Sequence, residues 1–193
     1  MRLRCFSDPA VMKLIAKYFG EAVHVLELLS GLTGLICRGE FTEAYLIPPQ
    51  VWEVTAKLMS SGRIPYAAGM YVGRVARNSL IPSHDFLQHT YEALGHPIKA
   101  VTVGNEGLKP FLYGKDVLKA STLKCHPPLR KGDIIGIVGQ DNYVYGVGKS
   151  TINSCEELNN LRRTDPVALN VFDVGWYLRG GTDPRERKFK NLR

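Results

Sequence analysis

Gly148-Lys149-Ser150-Thr151 closes the way a phosphate-binding loop closes, with a glycine, a lysine and two hydroxyls. Such a loop wraps phosphates in backbone N–H groups and needs another glycine five residues earlier. That position is Tyr143, and Tyr143–Val147 alternates like a strand, so the segment predicts a strand and no nucleotide cofactor. His84 and His89 are five apart and fall on different faces of a helix, whereas a zinc-binding pair needs four with a glutamate between. Cys125-His126 has no second pair at metal-ligand spacing. No Gly-x-Ser-x-Gly elbow occurs, and no cysteine stands in a nucleophile signature. The acidic residues of the first half are scattered. The expectation is a protein with no catalysis, metal or cofactor.

Charge carries the positive signal. Residues 1–97 hold nine Lys/Arg against eight Asp/Glu, while residues 98–193 hold sixteen against ten. Within the second half, Arg179–Arg193 has six basic residues and two acidic ones. Such asymmetry points either to a polyanion partner for the C-terminal half or to a solvated tail that keeps the chain soluble.

No apolar run approaches the ~18 residues of a membrane span, and no apolar stretch follows the basic residues at the N-terminus as a secretory signal requires. A cytoplasmic protein without membrane contact is expected. Cys5, Cys37, Cys125 and Cys155 are far apart and form no Cys-x-x-Cys pair, which reads as buried apolar thiols rather than a disulfide framework.

These groups need a scaffold. Ser7-Asp8 followed by Pro9 marks a helix start, Val11, Ile15, Tyr18 and Phe19 share one face, and Gly20 supplies the stop, predicting a helix over about 8–19. Ala22–Leu29, Thr33–Cys37 and Ala44–Ile47 are apolar or β-rich runs between glycine-bearing turns and read as strands. Pro48-Pro49 opens a helix to about Ser60 with Trp52, Ala56 and Met59 inward, Tyr66–Val75 is a strand, and His84–Leu94 a helix. Gly95-His96-Pro97 punctuates the chain, and the pattern then changes. A short helix over Asn105–Tyr113 is followed by strands at Val117–Ala120, Ile134–Val138, Tyr143–Val147 and Val167–Phe172, the signature of a small barrel or sandwich. The reading is α+β: an N-terminal α/β domain over 1–96 with an antiparallel sheet and flanking helices, a second domain over 97–180, and a basic tail over 181–193.

Arg130-Lys131-Gly132-Asp133 leads into a strand, a polar hairpin and a second strand with alternate glycines, Gly146 and Gly148. This pattern, with Pro110–Lys119 before it, resembles the PUA domain, a pseudo-barrel found in pseudouridine synthases and archaeosine transglycosylases. Phe111-Leu112-Tyr113-Gly114, Val117-Leu118-Lys119, Lys149-Ser150-Thr151, Arg163–Ala168 and Gly175–Arg179 look like the Nip-seven family of large-subunit ribosome assembly factors. Ile15–Gly20 is similar to that family's first helix. Asn153–Leu161 departs from the pattern as an insertion. The resemblance implies an archaeal-type member with a C-terminal PUA domain that binds RNA.

Residue chemistry and resemblance converge on the second domain. Basic residues supply salt-sensitive affinity through phosphates, and looped or single-stranded RNA adds stacking on flat side chains. The candidate RNA contacts are Lys115, Lys119, Lys124, Lys149, Arg179, Arg185, Arg187, Lys188 and Lys190. Of the aromatics Tyr143, Tyr145 and Trp176, at least two are expected in the core. The implied role is assembly of the large ribosomal subunit and pre-rRNA processing, on rRNA or pre-rRNA with uridine-rich segments as candidate targets, and with assembly proteins held by the N-terminal domain. The alternative is an RNA-binding accessory subunit of an RNA-modifying enzyme.

The tail gives the first prediction. About five phosphate contacts on single-stranded RNA give a log–log salt slope near −3.5. Truncation after Gly180 removes Arg185, Arg187, Lys188, Lys190 and Arg193. The slope, measured by fluorescence anisotropy on a uridine-rich oligomer, should flatten to about half. An unchanged slope would make the tail a solvated appendage.

Overall fold

The computed structural model describes residues 4–20, 23–63, 68–177 and 179. The chain divides into two compact units, Met1–Phe86 and Leu87–Arg193.

In the first unit, β1 (Arg4–Ser7), β2 (Thr33–Arg38), β3 (Thr42–Ile47), β4 (Met70–Ala76) and β5 (Ser79–Pro82) form one antiparallel sheet in chain order. Helices α1 (Ala10–Phe19) and α2 (Val23–Leu28) interrupt the meander after β1, and α3 (Pro49–Ser60) after β3. Asp8 Oδ1 accepts the Ala10 N–H at 2.8 Å, which starts α1. Val11, Ile15, Tyr18 and Phe19 are its buried residues, the face that the periodicity predicts. That face reaches β2 because residue 34 is glycine: a Cβ there would stand 2.6 Å from Val11 Cβ.

Three sequence expectations give way here, the first two within this unit and the third in both units. The run expected to be a strand at Ala22–Leu29 is helical over Val23–Leu28, with Val25 and Leu29 buried four residues apart. Short apolar runs fit either period, and here the i,i+4 pair decides. On α3 only Thr55 is buried; Trp52, Ala56 and Met59 are half-exposed. The cysteines are paired, Cys5 with Cys37 and Cys125 with Cys155. Cys5 and Cys37 are directly opposed in the β1–β2 register, with Cα atoms 4.0 Å apart. The second pair has a Cα separation of 5.6 Å, inside the usual range for a disulfide. Separations of 32 and 30 residues in sequence conceal this, because register rather than spacing brings the sulfurs together.

Helix α4 (His84–Leu94) contains the division between the units. Gly95-His96-Pro97 ends the helix, but packing changes earlier, since Leu87 and Tyr91 lie against Gly136 of the second unit's sheet. That sheet runs β7 (Val117–Leu118), β11 (Pro166–Asp173), β10 (Val144–Ser150), β9 (Ile134–Val138), β6 (Ala100–Val103), β8 (Thr122–His126). All pairs are antiparallel except β6 with β9. Strands β7 and β8 are the two edges, yet only the turn Lys119–Ser121 joins them. The sheet must therefore roll until its edges meet. Inside the roll lie Val101, Val103, Phe111, Val117, Ile135, Ile137, Ile152 and Val167, and helix α5 (Asn105–Leu112) adds Leu108 and Phe111.

The segment around the phosphate-loop lookalike is strand β10, paired on both sides. Its alternate glycines admit neighbouring backbone: a Cβ on Gly146 would lie 2.1 Å from the Phe172 carbonyl oxygen. Of the expected core aromatics, Tyr143 is exposed, and Tyr145 and Trp176 are half-buried. The Tyr143 and Tyr145 rings meet edge to face at 5.1 Å, and Tyr145 donates its hydroxyl to Asp141 at 2.8 Å.

The Tyr91 hydroxyl is buried with no hydrogen-bond partner among the described residues, and burial pushes its pKa upward. A Cβ on Gly136 would stand 2.6 Å from that oxygen. Gly136→Ala should therefore cost about 1–3 kcal/mol by overpacking. Tyr91→Phe should raise stability by roughly 1 kcal/mol and rescue much of the Gly136→Ala loss. Urea denaturation of the four-member cycle measures both; strictly additive effects would refute the contact.

Candidate nucleic-acid interface

The seam where the second sheet closes is built from short-range hydrogen bonds. The Leu118 carbonyl accepts both the Ser121 and Thr122 hydroxyls at 3.0 Å, which folds the chain between the edge strands into a tight turn. Lys119 N–H donates to the Asp165 carbonyl and Ala120 N–H to the Arg163 carbonyl, each at 2.9 Å, tying this turn to the loop before β11. Helix α5 presses on the same turn, because Gly107 leaves no room for a Cβ beside Ser121. Gly104 N–H donates to the Ser121 carbonyl at 2.9 Å, and Leu123 covers Gly104.

The seam therefore presents Lys119, half-buried at its base, and Lys124, exposed on edge strand β8. Leu118 and Leu123 are 39% and 57% exposed beside them. Arg163 joins them through its backbone bond to Ala120, and among the described residues it forms no ion pair. Its signal in the sequence is the Arg162-Arg163 doublet. Only one of the two is free, since Arg162 pairs with Asp165 at 3.1 Å. Cations interleaved with exposed apolar side chains suit a strand that offers phosphates on one side and bases on the other.

The other predicted contacts are placed differently. Lys149 is exposed on β10, between half-buried Ile134 on one side and exposed Leu169 on the other. It stands in the body of the sheet, with β11 separating its strand from β7. Lys115 is exposed in the turn between α5 and β7. That turn is held by Asn170, whose side-chain amide donates to the Phe111 and Lys115 carbonyls at 3.0 and 3.4 Å. Arg179 forms two bonds to Asp173, at 2.8 and 3.2 Å. Asp173 is fully buried, so the Arg179 charge neutralises a carboxylate inside the fold. Arg179 also borders a concavity of about 380 Å³ lined by Asn105, Lys109, Tyr113 and Gly175. Arg185, Arg187, Lys188 and Lys190 lie outside the described residues.

Two further basic residues flank Lys149. Arg130 and Lys131 are exposed in the turn before β9, and the Lys149 side chain runs alongside Gly132. Gly132 has φ of 91°, which a glycine adopts without strain. Asp133 accepts the Arg130 N–H at 2.9 Å and the Lys99 ammonium at 2.8 Å. The Gly-Asp signature is therefore architectural. Among the described residues, no group of three or more His, Cys, Asp or Glu is arranged to hold a metal ion, and no helix is long and apolar enough to cross a membrane.

A rolled six-stranded sheet with a short helix at its seam, following an antiparallel α/β unit, defines a protein with a C-terminal PUA pseudo-barrel. Residues 99–182 match the family model described as the UPF0113 PUA domain. The UPF0113 protein of Archaeoglobus fulgidus is 27% identical over 169 residues, covering 88% of each chain. That of Aeropyrum pernix is 27% identical over 151 residues, covering 78% of this chain and 76% of the relative. Among solved structures, a hypothetical protein from the hyperthermophilic archaeon Pyrococcus horikoshii superposes with a TM-score of 0.62 at 12% identity, covering 92% of this chain and 99% of that one. A conserved PUA domain protein from Thermoplasma acidophilum gives 0.55 at 14% identity, covering 90% and 95%. At these identities the structural likeness speaks for the fold.

One residue at the seam titrates usefully. His126 is buried at the end of β8, its Nε2 2.8 Å from the Thr102 hydroxyl. Burial first, then the charges of Lys124 and His96, hold its pKa below the ordinary histidine value. The unfolded chain therefore takes up a proton that the native state resists, and stability falls as pH drops below ~6.5 until the depressed value is passed. Thermal melts from about pH 7.5 down to 5.5 should show a smaller loss for His126→Gln than for the native chain. Equal losses would remove His126 as the cause.

Proposed function

We propose that this protein is a non-catalytic RNA-binding protein that acts in assembly of the large ribosomal subunit and in pre-rRNA processing in the cytoplasm. The observation that carries RNA binding is the seam of the PUA pseudo-barrel, where Lys119, Lys124 and Arg163 stand with exposed Leu118 and Leu123. The resemblance of Phe111–Gly114, Val117–Lys119 and Gly175–Arg179 to the Nip-seven family supports the ribosomal role. The first unit supplies a surface for assembly proteins on α3, where Val51 and Val54 are 43% and 67% exposed. Large apolar side chains bared on one helix fit a protein partner.

Two measurements test the proposal. Replacing Lys119, Lys124 and Arg163 with Ala removes up to three phosphate contacts, so the log–log salt slope on single-stranded RNA should flatten by about 2. Native binding without salt dependence would exclude the phosphate grip. In gradient sedimentation of cell extract the protein should travel with immature large subunits; migration with an RNA-modifying enzyme instead would support the accessory reading and overturn the assembly role.

A further inference from the structure

The first unit is nearly neutral, yet its cations are not dispersed. Lys13, Lys17, Arg38 and Arg77 line one concavity of about 490 Å³, with Ile36 in its wall. Among the described lining residues Asp8 is the single acidic one, and one of its oxygens already accepts the Ala10 amide. Among the described residues none of the four cations forms an ion pair. All four are exposed at the surface.

Their positions are fixed by backbone. Arg77 and Asn78 make the β4–β5 turn, both in the left-handed region at φ 48° and 59°. Asparagine is common in that conformation, but arginine is uncommon there and costs about 1 kcal/mol relative to glycine. The Lys17 ammonium donates to the Asn78 carbonyl at 3.1 Å and fastens this turn to α1. Opposite, the Arg38 guanidinium lies 5.1 Å from the centre of the Phe6 ring, which restricts where it points.

A second, independent feature adds to this. Arg4 and Arg38 are direct partners in the β1–β2 register, so two like charges face each other across a ladder, an arrangement that destabilises a sheet. A polyanion laid over this end of the sheet removes that repulsion. The cleft thus gathers four exposed cations, one of them in a like-charge pair, and bound phosphate offsets that repulsion.

We infer that this concavity is a second phosphate-binding surface, which takes the sugar–phosphate backbone of RNA on the first unit. Four cations spread around one open concavity suit repeated phosphates more than one small anion. The inference rests on the RNA-binding reading and extends the footprint beyond the PUA pseudo-barrel.

The test uses the full chain carrying Lys13→Ala and Arg77→Gly. Alanine favours the helix, and glycine relieves the left-handed turn, so both substitutions remove charge without threatening the fold. On a long uridine-rich RNA, loss of two contacts should flatten the log–log salt slope by about 1.4 and weaken binding about 25-fold near 0.1 M salt. Ultraviolet crosslinking of native protein to the same RNA should mark peptides containing residues 10–17 or 71–81. An unchanged slope with crosslinks confined to residues after 87 overturns the inference and leaves RNA binding by the second unit standing. Weaker binding at an unchanged slope also overturns it, since losing a phosphate contact must flatten the slope. Failure of the native chain to bind RNA at all sinks both readings.

Discussion

The second unit depends on one topological constraint: its sheet begins and ends on strands that three residues connect. Val117–Leu118 and Thr122–His126 occupy opposite edges of a six-strand order, and the short turn between them cannot span a flat sheet. With neighbouring strands about 4.8 Å apart, the edges of an open sheet of this size would be more than 20 Å distant. Rolling encloses Val101, Ile135, Ile137 and Val167 and brings the Lys119–Lys124 turn to a seam. The seam is thus a product of closure, and so is the company its lysines keep.

Closure also explains why several charged residues of recognisable motifs serve the fold. Asp133 holds Lys99, which is buried and sits in the left-handed region at φ 51°. Asp173, fully buried, holds Arg179. Removing Arg179 or Asp133 takes an opposite charge away from a buried group, a loss that costs about 3–5 kcal/mol in fully buried pairs. These residues are constrained as strictly as a binding residue would be, and pattern alone does not separate the two. What separates them is partner and burial: Arg179 has a carboxylate, whereas Arg163 has none among the described residues.

The two units manage charge differently. In the second, cations rise from the closing seam beside exposed leucines, so charge and apolar surface lie side by side. In the first, cations surround a concavity on a nearly neutral body, while the apolar exposure is on α3. The charged and the apolar surfaces of the first unit are therefore distinct, and added salt screens only the charged one.

The sequence by itself determined the elements whose hydrophobic period is long and uninterrupted. Helix α1 shows its buried face at Val11, Ile15, Tyr18 and Phe19, α4 spans His84–Leu94 as read, and β9 spans Ile134–Val138 as read. It also located the basic half of the chain and the strand character of the Lys149 segment. Elements too short to show a period were beyond it: β1, β5 and β6 have four residues each, and the Val23–Leu28 helix reads equally well as a strand. Only tertiary structure decided which charges are free. Arg162 and Arg163 are adjacent and chemically alike, yet the turn gives Asp165 to the first and leaves the second at the seam. The cysteines teach the same point, since Cys5 meets Cys37 through strand register across 32 residues. Pairing depends on distances in space, which local sequence does not encode, and so chemistry made by pairs appears only when the chain has folded.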